Sequence, residues 1–198
     1  GHEGVGVVTQ VGRDVKHVSE GDHAIVTWVP RTPISGRLAA VDCGATYREE
    51  PLHGPVYTWG EDVLANAEYI VPIPKEHATD VSSIVGCAVL TGAGAVLNTA
   101  RVRPGNSVAV FGAGGVGLCA IQMAALLRAY PVIAVDLKDE KLEFAKKFGA
   151  THGVNSSQVD PVEAIHEISG GGVDFAFDAI GVRATNEQIL PATRGGGP

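Results

Sequence analysis

Short β-prone runs mark the first third of the chain. Val5, Val7 and Val8, then residues 24–29, are apolar stretches of strand length broken by Gly12 and Gly21, as expected of strands closed by turns. Residues 30–60 carry four prolines (30, 33, 51 and 55) and no apolar period, which predicts a long irregular lobe. Residues 68–73 alternate well enough for one more strand, closed by Pro72 and Pro74.

From about residue 76 the pattern changes. Residues 80–90 and 92–99, rich in Ala, Val and Ile, predict buried helical segments. Strands are then predicted at 107–111, 132–135, 152–155 and 175–180, and helices at 114–129 and at 139–148, the latter stopped by Gly149. Asp160-Pro161-Val162-Glu163 opens a further helix with an N-cap, a proline at the first position and an acid at the third. Alternation of strand and helix implies a parallel sheet with right-handed crossovers. The expected fold is therefore α/β, a β-rich domain over 1–75 followed by a doubly wound sheet over 76–198. Such a sheet normally has about six strands. Four are found before Gly195-Gly196-Gly197-Pro198, so both ends are expected to be cut.

Composition narrows the class. At 198 residues the chain has the length of about one and a third typical domains. Hydrophobic residues at 45% and charged residues at 19% describe a globular chain rather than a disordered one. The net charge of −7 argues against nucleic acid or an anionic membrane as the main partner. Cys43, Cys87 and Cys119 share no short spacing, so no disulfide framework is expected and a reducing, cytoplasmic setting is. No apolar run reaches the roughly 18 residues of a membrane span, and no signal-peptide pattern opens the chain.

The 26 glycines cluster, and one cluster has a mechanism. Gly112-Ala113-Gly114-Gly115-Val116-Gly117 lies between a predicted strand and a predicted helix. In that setting the first glycine permits a tight turn, Gly114 lets backbone approach a pyrophosphate, and Gly117 lets helix and strand pack closely. The phosphates would rest on the free N–H groups of Gly115, Val116 and their neighbours at the positive end of the helix. Asp136 stands nineteen residues beyond Gly117, at the end of the next strand. Its carboxylate suits a ribose diol and repels a 2′-phosphate, which favours NAD over NADP. Lys141 either covers the adenosine side or belongs to a solvated helix face. His2, Glu3 and Cys87 are the other chemical residues. A thiolate and an imidazole suit zinc, but two ligands are too few for a site, and spacing alone favours a small buried cysteine at 87 and an ordinary terminal histidine at 2.

The series Gly1-His2-Glu3-Gly4-Val5-Gly6-Val7-Val8, Glu20-Gly21-Asp22-His23, Gly86-Cys87-Ala88-Val89-Leu90-Thr91-Gly92 and Val110-Phe111-Gly112 to Gly117 resembles zinc-dependent alcohol dehydrogenases of the medium-chain family. Phe148-Gly149-Ala150-Thr151 and Gly172-Val173-Asp174-Phe175 continue the match. The resemblance implies a partial GroES-like catalytic domain and a truncated Rossmann domain. It implies that His2 and Cys87 are two of the catalytic zinc ligands, with Glu3 a neighbouring or alternative one. The first ligand and the proton relay would then lie upstream of Gly1. It places Thr91 near the nicotinamide and Ala179 and Ile180 along the cofactor. The implied reaction is hydride transfer between an alcohol, or its aldehyde or ketone, and NAD, with zinc polarising the oxygen; the implied parent is a homo-oligomer. A zinc-free quinone or enoyl reductase, or a non-catalytic NAD-binding protein, are the alternatives.

Three departures from the family pattern stand out. Many relatives hold a structural zinc on four close cysteines where this chain has Cys43 alone, so one catalytic zinc and no structural zinc are expected. Trp28, Tyr47, Tyr57 and Trp59 are expected to fill that lobe by packing instead. Arg128 stands where relatives often carry glycine, and Val182 where they often carry arginine, with Arg183 adjacent.

Overall fold

A computed structural model describes residues 1–31, 46–51, 53, 54 and 56–196. Residues 32–45 of the expected irregular lobe, Cys43 among them, lie outside the described residues. Two compact units make up the chain, Gly1–Cys87 and Ala88–Pro198. The division falls beyond residue 75, after the first turns of the helical run.

In the first unit, β1 (Gly4–Val7), β2 (His23–Val26), β3 (Thr46–Tyr47), β4 (Glu50–Pro51) and β5 (Ile70–Ile73) are followed by the single turn α1 (Thr79–Ser82). Three of these strands form an antiparallel sheet in the order β1-β2-β5, with Gly4 opposite Val26 and Ala24 opposite Pro72. Pro72 sits inside the last strand because that strand pairs on one side only, where a missing N–H costs no ladder bond. Ala24 and Ile25, on opposite faces of the central strand, and Tyr69 are buried. The strand expected to reach Val29 ends at Val26, and Thr27 instead gives its N–H to Tyr69 O.

Aromatic packing does not fill the lobe as expected: Trp59 is 93% exposed and Tyr47 60%. The segment expected to be buried helix is also different. It is a run of short pieces: α1, a wide π-turn at Val85–Val89, α2 (Leu90–Gly94) and a second π-turn at Ala95–Thr99. Only Ser82, Gly86, Gly92 and Val96 are buried, one narrow stripe, while Val81, Ile84, Leu90 and Leu97 stay exposed. The run is amphipathic by position, and its Ala and Val content conceals that.

In the second unit, strands and helices alternate: β6 (Val108–Phe111), α3 (Gly115–Leu126), β7 (Val132–Asp136), α4 (Asp139–Lys146), β8 (His152–Asn155), α5 (Pro161–Ser169), β9 (Phe175–Asp178) and α6 (Arg183–Ala192). The four strands are parallel in the order β8-β7-β6-β9. Successive side chains point to opposite faces. Val108, Val110, Val132 and Ala134 pack with Ile121 and Ala124 of α3 and Leu142 and Ala145 of α4. Ala109, Phe111, Ile133 and Val135 pack on the other face with Ile165 of α5 and Ala192 of α6. Each Val, Leu, Ile or Phe side chain among them contributes roughly 1.5–3 kcal/mol when fully buried.

Asp160 caps α5 as its sequence predicts, accepting from Val162 N at 2.8 Å and Glu163 N at 3.1 Å. The strand expected over 175–180 stops at Asp178, whose carboxylate turns the chain by accepting from Ile180 N and Gly181 N. Helix α6 carries no local signal strong enough to be expected. No side chain caps its N-terminus, and it contains Pro191.

Candidate functional site

Two groups of residues carry chemistry, one in each unit. In the first unit β2 acts as a shared support. Its Val26 pairs with Gly4, which fixes the start of β1 and with it His2. The same strand end also meets the π-turn that carries Cys87. A Cβ on Gly86 would lie 2.6 Å from Val26 O, so only glycine lets the turn come this close. Thr27, buried at 6% exposure, donates its hydroxyl to Gly86 O at 2.7 Å. The outcome is His2 Nε2 at 3.1 Å from Cys87 Sγ, two side chains 85 positions apart. Cys87 is half-buried rather than lost in a core, and His2 is exposed with its ring edge-on to Trp28, centroids 6.0 Å apart.

This donor set fits zinc. A tetrahedral ion with Zn–S near 2.3 Å and Zn–N near 2.05 Å would hold the two atoms about 3.6 Å apart, within reach of the observed spacing. Glu3 is not added to the pair: among the described residues no three His, Cys, Asp or Glu side chains gather as a metal-holding group.

In the second unit the Gly-rich turn joins β6 to α3, and each glycine has a separate geometric reason. Gly112 has φ +97°, and a Cβ there would meet Ile180 Cγ1 at 2.6 Å. A Cβ on Gly117 would lie 1.7 Å from Gly112 O. Around Gly114 no protein atom lies within 4 Å of where a Cβ would be, so the space is open. Gly114 is also the N-cap of α3 and supplies no side-chain cap. The first turn, Gly115, Val116 and Gly117, therefore faces an open cradle with the helix's positive end behind it. Thr91 lies in α2 next to Gly92, whose Cβ would lie 2.2 Å from Val116 O. The threonine is thus placed beside the first turn of α3.

Asp136 ends β7 at 8% exposure. Oδ2 accepts the Ala113 N–H at 2.9 Å and Oδ1 accepts the Leu137 N–H at 2.8 Å. Lys141 Nζ lies 3.7 Å from Oδ2. The acid therefore braces the Gly-rich turn, and Lys141 is neither distant from it nor simply solvated.

Ala179 and Ile180 follow β9 and pack on the same turn. The Ala179 N–H donates to Phe111 O at 2.9 Å. Asp178 organises this stretch through the Ile180 and Gly181 N–H groups and the Thr185 hydroxyl. Burial pushes its carboxyl up, but those three donors outweigh burial and hold it below the ordinary value. Sequence reasoning missed Asp178 and Thr27. Asp178 had a signal, since it ends its strand as Asp136 does; Thr27 had none.

Residues 1–75 match the alcohol dehydrogenase GroES-like domain family, and residues 115–198 match the zinc-binding dehydrogenase family. An S-(hydroxymethyl)glutathione dehydrogenase of Escherichia coli O1:K1 is 34% identical over all of this chain. The chain spans 60% of that relative's length. An alcohol dehydrogenase zinc-binding domain protein from Burkholderia ambifaria superposes with a TM-score of 0.85 at 36% identity, over 97% of this chain and 58% of its own. A benzyl alcohol dehydrogenase from Acinetobacter calcoaceticus gives 0.84 at 30%, over 98% and 58%. With these two domain matches and these relatives, the chain belongs to the zinc-dependent medium-chain alcohol dehydrogenase family.

Proposed function

We propose that the protein is a zinc-dependent, NAD-linked alcohol dehydrogenase that moves a hydride between an alcohol, or the matching aldehyde or ketone, and NAD. The observation that carries this reading is the His2–Cys87 pair, Nε2 to Sγ 3.1 Å. It is supported by similarity to an S-(hydroxymethyl)glutathione dehydrogenase and a benzyl alcohol dehydrogenase. When bound, zinc supplies Lewis acidity toward the alcohol oxygen and NAD supplies the hydride acceptor. The chain's own residues do the positioning. His2 and Cys87 hold the metal, with Glu3 beside them in the chain. Gly112, Gly114, Gly115, Val116 and Gly117 seat the pyrophosphate on the first turn of α3, and Asp136 takes the adenosine ribose with Lys141 flanking it.

The sheet order β8-β7-β6-β9 fixes a direction for the cofactor within this reading. If adenosine lies over β7 at Asp136 and phosphate over the β6–α3 turn, the nicotinamide half runs toward β9 and Ala179 and Ile180. Thr91 lines the same half. The reading includes a catalytic domain over 1–75 and a dinucleotide domain over 76–198, a single zinc, a small-molecule substrate, a cytoplasmic setting and a homo-oligomer, without nucleic-acid or membrane partners. No helix among the described residues is long and apolar enough to cross a membrane.

The test is zinc content together with NADH binding, on natural full-length protein of verified mass. One zinc per chain, lost in His2→Ala and Cys87→Ser while NADH binding persists, is the expected result. Zinc-free protein that still binds NADH would overturn it in favour of a zinc-free quinone or enoyl reductase or a non-catalytic NAD-binding protein.

A further inference from the structure

Both proposed zinc ligands hang from one strand end. His2 is placed by the Gly4–Val26 pairing, and the Cys87 turn rests against Val26 O at a distance only Gly86 tolerates. A side-chain bond ties the turn to this strand end as well, Thr27 Oγ1 donating to Gly86 O at 2.7 Å. The same hydroxyl accepts the Val29 N–H at 3.3 Å, so its direction is set from both sides. Thr27 is 6% exposed, and water does not readily replace either bond. The residue bonded is the immediate chain neighbour of Cys87, inside a π-turn, a distortion that often serves to aim a functional side chain.

We propose that Thr27 is a positioning residue for the metal: its hydroxyl locks the Gly86–Cys87 turn so that Sγ meets the His2 imidazole at metal-sharing distance. The proposal rests on the zinc reading above. Thr27 touches no ligand of the metal directly and acts only through the Gly86 carbonyl. Groups that act one layer behind a metal ligand typically set metal affinity by about 10–100-fold.

The experiment is Co(II) titration of metal-free, natural full-length protein, followed by the thiolate-to-cobalt charge-transfer band and by competition with a chelator. Wild type is expected to show the band, and Cys87→Ser to lack it. Thr27→Val keeps the side-chain shape and removes the hydroxyl; it is expected to bind Co(II) about 10-fold more weakly, with an altered band and NADH affinity unchanged. Thr27→Ser restores the hydroxyl and is expected to return affinity to within about threefold of wild type, well inside that 10-fold loss. A purely structural role would lower thermal stability alike in Thr27→Val and Thr27→Ser and leave Co(II) affinity alone. If Thr27→Val does not fold, Thr27→Ala against Thr27→Ser makes the same comparison. Wild type without the band overturns the zinc reading and this proposal together. Wild type with the band and a hydroxyl-free variant of equal affinity overturns this proposal alone.

Discussion

The two units build their chemistry in opposite ways. In the second, the residues proposed to face the cofactor are contiguous: Gly112 to Gly117 lie on one turn, and Asp136 reaches back to Ala113 from the end of the adjacent strand. In the first, the two chemical side chains are 85 residues apart and meet only because β2 supports both. A phosphate cradle needs backbone N–H groups and room, which a short run of glycines provides locally. A metal pair needs two side chains at a fixed separation, which only tertiary structure provides.

Two glycines in the second unit test that contrast most strongly. Gly117→Ala puts a methyl 1.7 Å from Gly112 O, and backbone cannot yield there cheaply. A stability loss of more than about 3 kcal/mol and loss of NADH binding are expected, read by denaturant unfolding and NADH fluorescence. Gly114→Ala meets no protein atom within 4 Å. Its stability should stay within about 0.5 kcal/mol of wild type, while NADH affinity falls at least about tenfold, because the methyl occupies the space proposed for pyrophosphate. Equal NADH affinity in Gly114→Ala would mean that the cradle is empty of phosphate and the local half of the contrast is wrong.

Asp136→Ala tests whether the same carboxylate serves fold and ligand. It leaves the Ala113 and Leu137 N–H groups without their acceptor, so about 3 kcal/mol of stability should be lost. NAD binding should weaken and the preference for NAD over NADP should narrow. A variant that loses stability but keeps its cofactor preference would leave Asp136 as a brace only.

These differences explain what could be read from the residues in advance. The β6 to β9 alternation, the Asp160 cap and the tight geometry at Gly112 and Gly117 follow from neighbours in sequence, and the element ends agree within a residue or two except at α3, which stops at Leu126 rather than 129. Strand β8 matches the expected 152–155 at both ends. The misses depend on distant partners. Residues 175–180 are apolar except for Asp178, which ends the strand by capturing two N–H groups after it. Residues 79–99 are rich in Ala, Val and Ile, yet only Ser82, Gly86, Gly92 and Val96 are buried. Cys87 and His2 have no periodic relation; their pairing was legible only through family resemblance, and Thr27, which pins Cys87, not even through that.

Strand β9 carries a carboxylate at each end, and both are tied to the parallel sheet's local loops. At its start Asp174 accepts from Ser107 N at 2.7 Å, the Ser107 hydroxyl, Asn106 and Arg194. Burial raises its carboxyl, but these bonds outweigh burial and leave it below the ordinary 3.8. A depressed carboxylate contributes stability that is present above the unfolded value and is lost as pH falls through the folded one. Asp174→Asn should therefore cost about 2 kcal/mol at pH 7 and less at pH 3, below the unfolded value. Denaturant unfolding at the two pH values checks this, and an equal cost at both would show that the charge of Asp174 is not what holds the loop.

Arg128 is the smallest test and runs the other way. It follows the C-cap of α3 with φ 59°, a left-handed conformation, while its N–H donates to Ala125 O and its carbonyl accepts from Gly105 N. Those bonds are made by backbone and would survive loss of the side chain. A Cβ in this conformation costs on the order of 1 kcal/mol, offset in part by the greater freedom glycine has when unfolded. Arg128→Gly should stabilise the second unit by up to about 1 kcal/mol, a rise of a few degrees in melting temperature, and leave Co(II) and NADH affinities unchanged. The residue lies at the far end of α3 from the Gly-rich turn, so a change in NADH affinity would mean that the helix transmits strain to the cradle. Unchanged affinity with higher stability would confine the cofactor chemistry of this unit to the first turn of α3 and the strand ends beside it.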